Sequence, residues 1–164
     1  MSPRLQDELK QTRPWASLEE EASLAVARTA AVLDHELAQV FKPLGITSTQ
    51  YNVLRILRGA GAEGLCRNEV GERLVRRVPD VTRLLDRMEE AGLVARERDT
   101  ADRRLVTTRL TARGCELVDA LDGPVAEEHE RRLAHIGEEQ LRTLVGLLTL
   151  VRAPGDVRTT RSVL

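Results

Sequence analysis

The chain has 164 residues, 41% hydrophobic, 31% charged and only 2% aromatic, with a formal net charge of −1. That length holds one compact domain or two small lobes around an aliphatic core. No apolar run is long enough to span a bilayer, and no charged start leads into an apolar stretch, so neither a membrane span nor a secretory leader is expected and the reading points to the cytoplasm.

Residues 1–16 read as a polar N-terminal arm with Trp15 near its end. Ser17 and Glu20 have the Ser-x-x-Glu spacing of a capping box, in which two side chains satisfy free backbone donors at a helix start. Leu18, Ala22, Ala25, Thr29, Val32, Leu33, Leu37 and Val40 follow at helical spacing and predict a long helix that Pro43 ends. It is longer than a small lobe needs, so a second chain is its natural partner. Thr47 and Gln50 make a second capping box. The helix they open, about 47–59, is predicted to bury Tyr51, Val53, Leu54, Ile56 and Leu57, and Gly59, Gly61 and Gly64 form the loop after it.

A short helix over about 67–75 buries Val70 and Leu74. A tight connection, Arg76-Arg77-Val78, leads to Pro79, placed in the first turn of the next helix, where its missing N–H costs nothing. That helix buries Val81, Leu84, Leu85 and Met88. It exposes Asp80, Arg83, Arg87 and Glu90, with Thr82 and Asp86 beside them, and Gly92 stops it. Residues 94–98 and 105–110 read as two antiparallel strands joined by a polar tip. Thr111 caps a long helix to about His135, which Gly123-Pro124 is expected to interrupt and kink. A last helix over about 138–152 carries Leu141, Leu144, Val145, Leu148 and Val151 on one stripe, and residues 154–164 read as a mobile tail.

Helix, strand, charged tip and strand in this order are the sequence form of a winged helix. The expected fold is mainly α with a small antiparallel β-wing. It divides into an arm (1–16), a helical dimerisation region (17–46 and 111–153) and a winged helix-turn-helix DNA-binding region (47–110). A major groove accepts one α-helix, and a helix-turn-helix offers its second helix there, N-terminal residues toward the base edges. Arg83 and Arg87 are one turn apart and meet the same surface. Asp80 and Thr82 stand at the leading end, where Thr82 can hydrogen-bond a base or touch a thymine methyl. Arg67, Arg76, Arg77 and Pro79 complete the candidate DNA-binding set on this motif. At the wing tip Arg104 suits a narrow minor groove, Asp102 can hold its guanidinium, and Arg103 can neutralise phosphate. Residues 67–109 hold 11 Arg against nine Asp and Glu, a net of +2, while the remainder carries −3. That asymmetry is modest, so the placement of the arginines carries the argument.

Cys66 and Cys115 form no disulfide framework or metal pattern and are each read as a small buried residue. His35, His129 and His135 have no metal-ligand spacing. Without a nucleophile–base constellation, phosphate loop or metal cluster, no enzyme and no cofactor is expected.

On these residues the chain resembles the MarR (multiple antibiotic resistance regulator) family of bacterial transcription factors from about Leu18 to Val151. The resemblance rests on Thr47-Ser48-Thr49-Gln50-Tyr51-Asn52-Val53-Leu54, on the stretch from Pro79 to Val94, and on the pattern D-x-R-x5-L-T-x-x-G at 102–114. It implies a homodimer built from N- and C-terminal helices, with two winged-helix lobes on a pseudo-palindromic operator. It also implies that Arg104 is the minor-groove arginine and Asp102 its orienting partner. A repressor acting on DNA at the bacterial nucleoid is expected, released when a small aromatic or phenolic ligand binds between the dimer helices and the DNA lobe and changes the spacing of the recognition helices. Trp15, Arg28, His35 and Tyr51 are the candidate ligand residues. The chain departs from the family at Cys66, where Ser or Thr commonly begins the helix-turn-helix, so that cap is weaker. Its first long helix also lacks the reactive Cys of the peroxide-sensing branch. The alternatives are a winged-helix protein-interaction module that does not bind DNA, and a thiol-responsive regulator using Cys66 near its helix N-terminus.

Overall fold

The computed structural model describes residues 4–98 and 106–153. The helices are α1 (Leu5–Glu8), α2 (Leu18–Phe41), α3 (Ser48–Ala60), α4 (Arg67–Arg73), α5 (Val81–Glu90), α6 (Ala112–Leu133) and α7 (Glu138–Arg152). The strands are β1 (Leu65–Cys66), β2 (Val94–Arg98) and β3 (Val106–Leu110), in the antiparallel order β1-β3-β2. The chain divides into two compact units, Met1–Glu128 and His129–Leu164, with the boundary inside α6.

The helix starts follow the local chemistry. Ser17 Oγ accepts from the Glu20 N–H at 3.2 Å, as a cap should, but the Glu20 carboxylate reaches back one residue further, to the Ala16 N–H at 2.7 Å. Thr47 and Gln50 close the full reciprocal box at the start of α3. After Phe41 a 3-10 turn, Lys42–Leu44, contains Pro43 and ends at Gly45 in the left-handed region.

The core of the first unit is aliphatic, as the composition requires. Phe41, Val53, Leu54, Leu57, Val70, Leu85, Met88, Val94, Val118 and Leu121 are all but inaccessible to solvent. Phe41 and Tyr51 pack ring to ring, centroids 4.7 Å apart. Arg58 on α3 ties this core to α6 by donating to Asp122 at 2.8 Å through two nitrogens, and to Asp119 at 2.8 Å. The paired guanidinium holds the Asp122 carboxyl below its ordinary value.

Four sequence expectations are corrected. β1 was not expected: Gly64 adopts φ +68° and lies so close to β3 that a Cβ there would stand 2.5 Å from the Thr108 carbonyl oxygen. The bare backbone lets Leu65 and Cys66 pair with Thr108 and Thr107. α4 stops at Arg73 rather than near Val75, because Leu74 turns to extended backbone, and Val75 is 86% exposed. α6 is helical throughout Ala112–Leu133 with Pro124 inside it, where the expected interruption shows as no break in the helix. Its ring removes the N–H that would bond the Ala120 carbonyl and crowds that carbonyl, yet the helix continues on both sides. Cys115, read as buried, is exposed on α6, and Cys66 is half-buried.

Much of the apolar surface of α2 is uncovered. Leu18, Leu24, Val26 and Leu33 are exposed, and Phe41 alone is fully buried. In the second unit α7 has no buried residue: Leu144, Val145, Leu147, Leu150 and Val151 are exposed. No helix of the described residues is long and apolar enough to cross a membrane.

Candidate nucleic-acid interface

α4 and α5 form the helix-turn-helix, and its turn is anchored from outside. The Val75 N–H donates to Asn52 Oδ1 of α3 at 2.9 Å, and Arg76 pairs with Asp34 of α2 at 3.3 Å. At the start of α4 the cap weakness expected of Cys66 is offset by Glu69, whose carboxylate accepts from the Cys66 N–H at 2.8 Å. That bond lowers the Glu69 pKa.

α5 begins one residue after the cap Asp80, whose Oδ1 accepts from the Arg83 N–H at 2.9 Å. Pro79 therefore precedes the cap and does not occupy the first turn expected of it from the sequence. A carboxylate at that position satisfies a free donor and meets the positive end of the helix, so it outcompetes the proline for the boundary. The other end is closed by Gly92 at φ +69°. The Leu93 N–H donates to Met88 O at 2.9 Å and the Gly92 N–H to Glu89 O at 2.8 Å, the paired bonds of a Schellman motif.

Three faces of α5 have distinct surroundings. Leu85 and Met88 enter the core. Thr82, Arg83, Arg87 and Glu90 are exposed. Asp86 and Glu89 are half-buried and turn to the sheet, where Arg96 of β2 receives both: its guanidinium donates to Glu89 at 2.6 and 2.9 Å and pairs with Asp86 at 2.6 Å, and its backbone N–H donates to Glu89 at 3.1 Å. The Arg96 guanidinium beside it holds the Glu89 carboxyl below its ordinary value. Sequence reasoning passed over Arg96 and set Asp86 beside the exposed face. The available signal was the spacing of Asp86 and Glu89, three residues apart on one side of the helix.

Of the candidate DNA residues, Arg67, Arg77, Pro79, Asp80 and Thr82 come together around one open hollow of about 540 Å³ at the leading end of α5. There Arg67 donates to Thr82 Oγ1 at 3.2 Å. Arg83 and Arg87 lie outside it on the exposed face, and Arg76 borders a different hollow, of about 550 Å³, with Asp34 and the start of α3. β2 and β3 pair from Val94↔Leu110 to Arg98↔Val106. Arg109 is committed within the sheet, donating to Ala62 O at 2.7 Å and to Glu97 at 2.8 Å. Asp102, Arg103 and Arg104 lie outside the described residues.

The four candidate ligand residues line none of these hollows. Arg28 pairs with Glu8 at 3.6 Å, and His35 is exposed on α2. Tyr51 is a core residue whose pKa is raised by burial. The Trp15 indole N–H is buried and has no hydrogen-bond partner among the described residues. No cluster of three or more His, Cys, Asp or Glu among the described residues could hold a metal ion.

Comparison with known proteins agrees with this geometry. The MarR family model matches residues 46–106. The chain is 30% identical over 121 residues to an HTH-type transcriptional repressor, Mb2911, of Mycobacterium bovis, covering 74% of this chain and 86% of that one. A crystal structure of a MarR transcription factor from Planctomyces limnophilus superposes with TM-score 0.64 at 36% identity, over 84% of this chain and 99% of the other. A mutant MarR from E. coli complexed with operator DNA gives TM-score 0.74 at 26% identity, over 84% and 99%. The chain thus belongs to the MarR family and is a winged helix-turn-helix, DNA-binding transcriptional regulator.

Proposed function

We propose that two copies of the chain form a homodimer on a pseudo-palindromic double-stranded operator, and that the dimer is a cytoplasmic, nucleoid-associated repressor released by a small aromatic or phenolic ligand. One observation carries the DNA reading. Two faces of α5 are occupied, one by the core and one by Arg96, and the face left to solvent carries Arg83 and Arg87. In the major groove these guanidiniums pair with guanine edges, and Thr82 meets a neighbouring base. Arg67, Arg76 and Arg77 are suited to phosphate, and Pro79 and Asp80 set the start of the helix. At the wing, Arg104 enters the minor groove, Asp102 limits its rotamers and Arg103 meets phosphate.

The homodimer is supported by the apolar surface that one copy leaves open on α2 and on α7. A two-fold dimer suits a two-fold operator. The repressor role draws on the name of the M. bovis relative. For the effector, the hollow bordered by Asp34, Thr47 and Arg76 offers room for a small molecule.

Selection of genomic fragments by the purified protein tests this reading. The expected product is an inverted repeat bound by a dimer, with affinity falling steeply as salt rises, because arginine–phosphate contacts release counterions. Weak, sequence-blind binding would overturn it in favour of a protein-interaction module.

A further inference from the structure

The recognition helix meets the sheet unevenly. Beside its first turns lies an open hollow of about 390 Å³, bordered by Arg67, Thr82, Leu85, Arg96, Val106 and Thr108. Apolar packing therefore does not fill the space between the leading part of α5 and the strands. Toward the other end of the helix Arg96 spans the gap with side chain and backbone together, holding two carboxylates one turn apart. Its Cα partner in the ladder is Thr108, the central and fully buried residue of β3. One end of this clamp is thus fixed in the sheet and the other on the helix, and three short charge-assisted contacts constrain rotation more tightly than a single one would.

We infer that Arg96 is a positioning residue for DNA recognition: it locks α5 and the strand pair β2–β3 into one rigid reader. Sequence readout requires side chains held close to their productive geometry, whereas non-specific attraction to phosphate does not. Loss of the clamp should therefore reduce discrimination between operator and unrelated DNA, with little effect on binding to unrelated DNA. The inference rests on the reading of α5 as the groove helix.

The test compares full-length wild type, Arg96→Met, and the double variant Asp86→Asn with Glu89→Gln. Each is titrated against a selected operator fragment and a scrambled fragment of the same length, with far-UV circular dichroism as the check on folding. Wild type that shows no preference for the operator overturns the groove reading itself. Where wild type discriminates, both variants should lose about tenfold or more of the operator-to-scrambled affinity ratio, roughly the readout of one base pair. Their affinity for scrambled DNA should stay within a few-fold of wild type. The double variant is decisive, since it removes negative charge: attraction alone predicts tighter binding to both fragments at an unchanged ratio, which would overturn the inference. A wild-type ratio in either folded variant would overturn it as well. If Arg96→Met fails to fold, the double variant decides alone.

Discussion

The Thr111 hydroxyl donates to the Gly92 carbonyl oxygen at 2.7 Å and accepts from the Gly114 N–H at 3.0 Å, so one side chain joins the end of the recognition helix to the start of α6. The Thr111 N–H adds a bond to Leu93 O at 3.2 Å. Gly114 is the counterpart of this junction, because a Cβ there would stand 2.1 Å from the Leu93 carbonyl oxygen. The Leu-Thr-x-x-Gly pattern thus has a physical reading: a cap that reaches two ways, and a glycine that lets a backbone carbonyl approach.

Thr111→Val should lower stability by about 1–2 kcal/mol in urea titration, since it leaves a helix donor and a carbonyl without their partner. Gly114→Ala should cost at least as much, roughly 1–3 kcal/mol or more, because neither the helix nor the carbonyl can withdraw without repacking. An alanine variant as stable as wild type would refute the close approach.

At the recognition helix, Asp80→Ala should cost about 1 kcal/mol through loss of the cap, whereas Asp80→Asn should be close to neutral, because asparagine caps as well as aspartate. Equal losses for both would show that the carboxylate acts through its charge and not as an acceptor for the Arg83 N–H.

Stability should fall on acidification. Asp122 and Glu89 have folded pKa values below their ordinary ones, held there by Arg58 and Arg96. A depressed carboxylate contributes stability that is complete above its unfolded pKa, about 4, and is lost as pH falls through the folded value. In denaturant titrations from pH 7 down to pH 3, Asp122→Asn should flatten this acid limb relative to wild type. An unaltered limb would show that the Arg58 pair does not couple to folding.

Arg104→Ala should abolish operator binding in a gel-shift titration while sedimentation still reports a dimer. Unchanged affinity would remove the wing from the proposed contact set.

What the sequence made legible was mostly local. Thr47 with Gln50, Ser17, Thr111 and Gly92 act where they were expected to, because a cap or a helix stop is decided within about one turn. β1 escaped notice since two residues carry no periodicity, and its pairing is set by Thr107 and Thr108, more than forty residues away. The clamp on Arg96 was half legible: the spacing of Asp86 and Glu89 puts two acids on one side of the helix, but an arginine in a strand becomes their partner only once the strand folds back along the helix. Pro79 misled because proline suits a first turn in general, while here the adjacent aspartate takes the cap. Tyr51 was legible as a buried residue from its place on the helix, and it packs on Phe41 in the core.

The central claim is that the exposed arginine face of α5 reads the operator. Fluorescence anisotropy of a labelled operator with the double variant Arg83→Ala, Arg87→Ala measures it directly. The account predicts a loss of affinity of about 100-fold or more, two guanidinium contacts at roughly 1–3 kcal/mol each, with helicity and dimer mass unchanged. Wild-type affinity in that variant would contradict it.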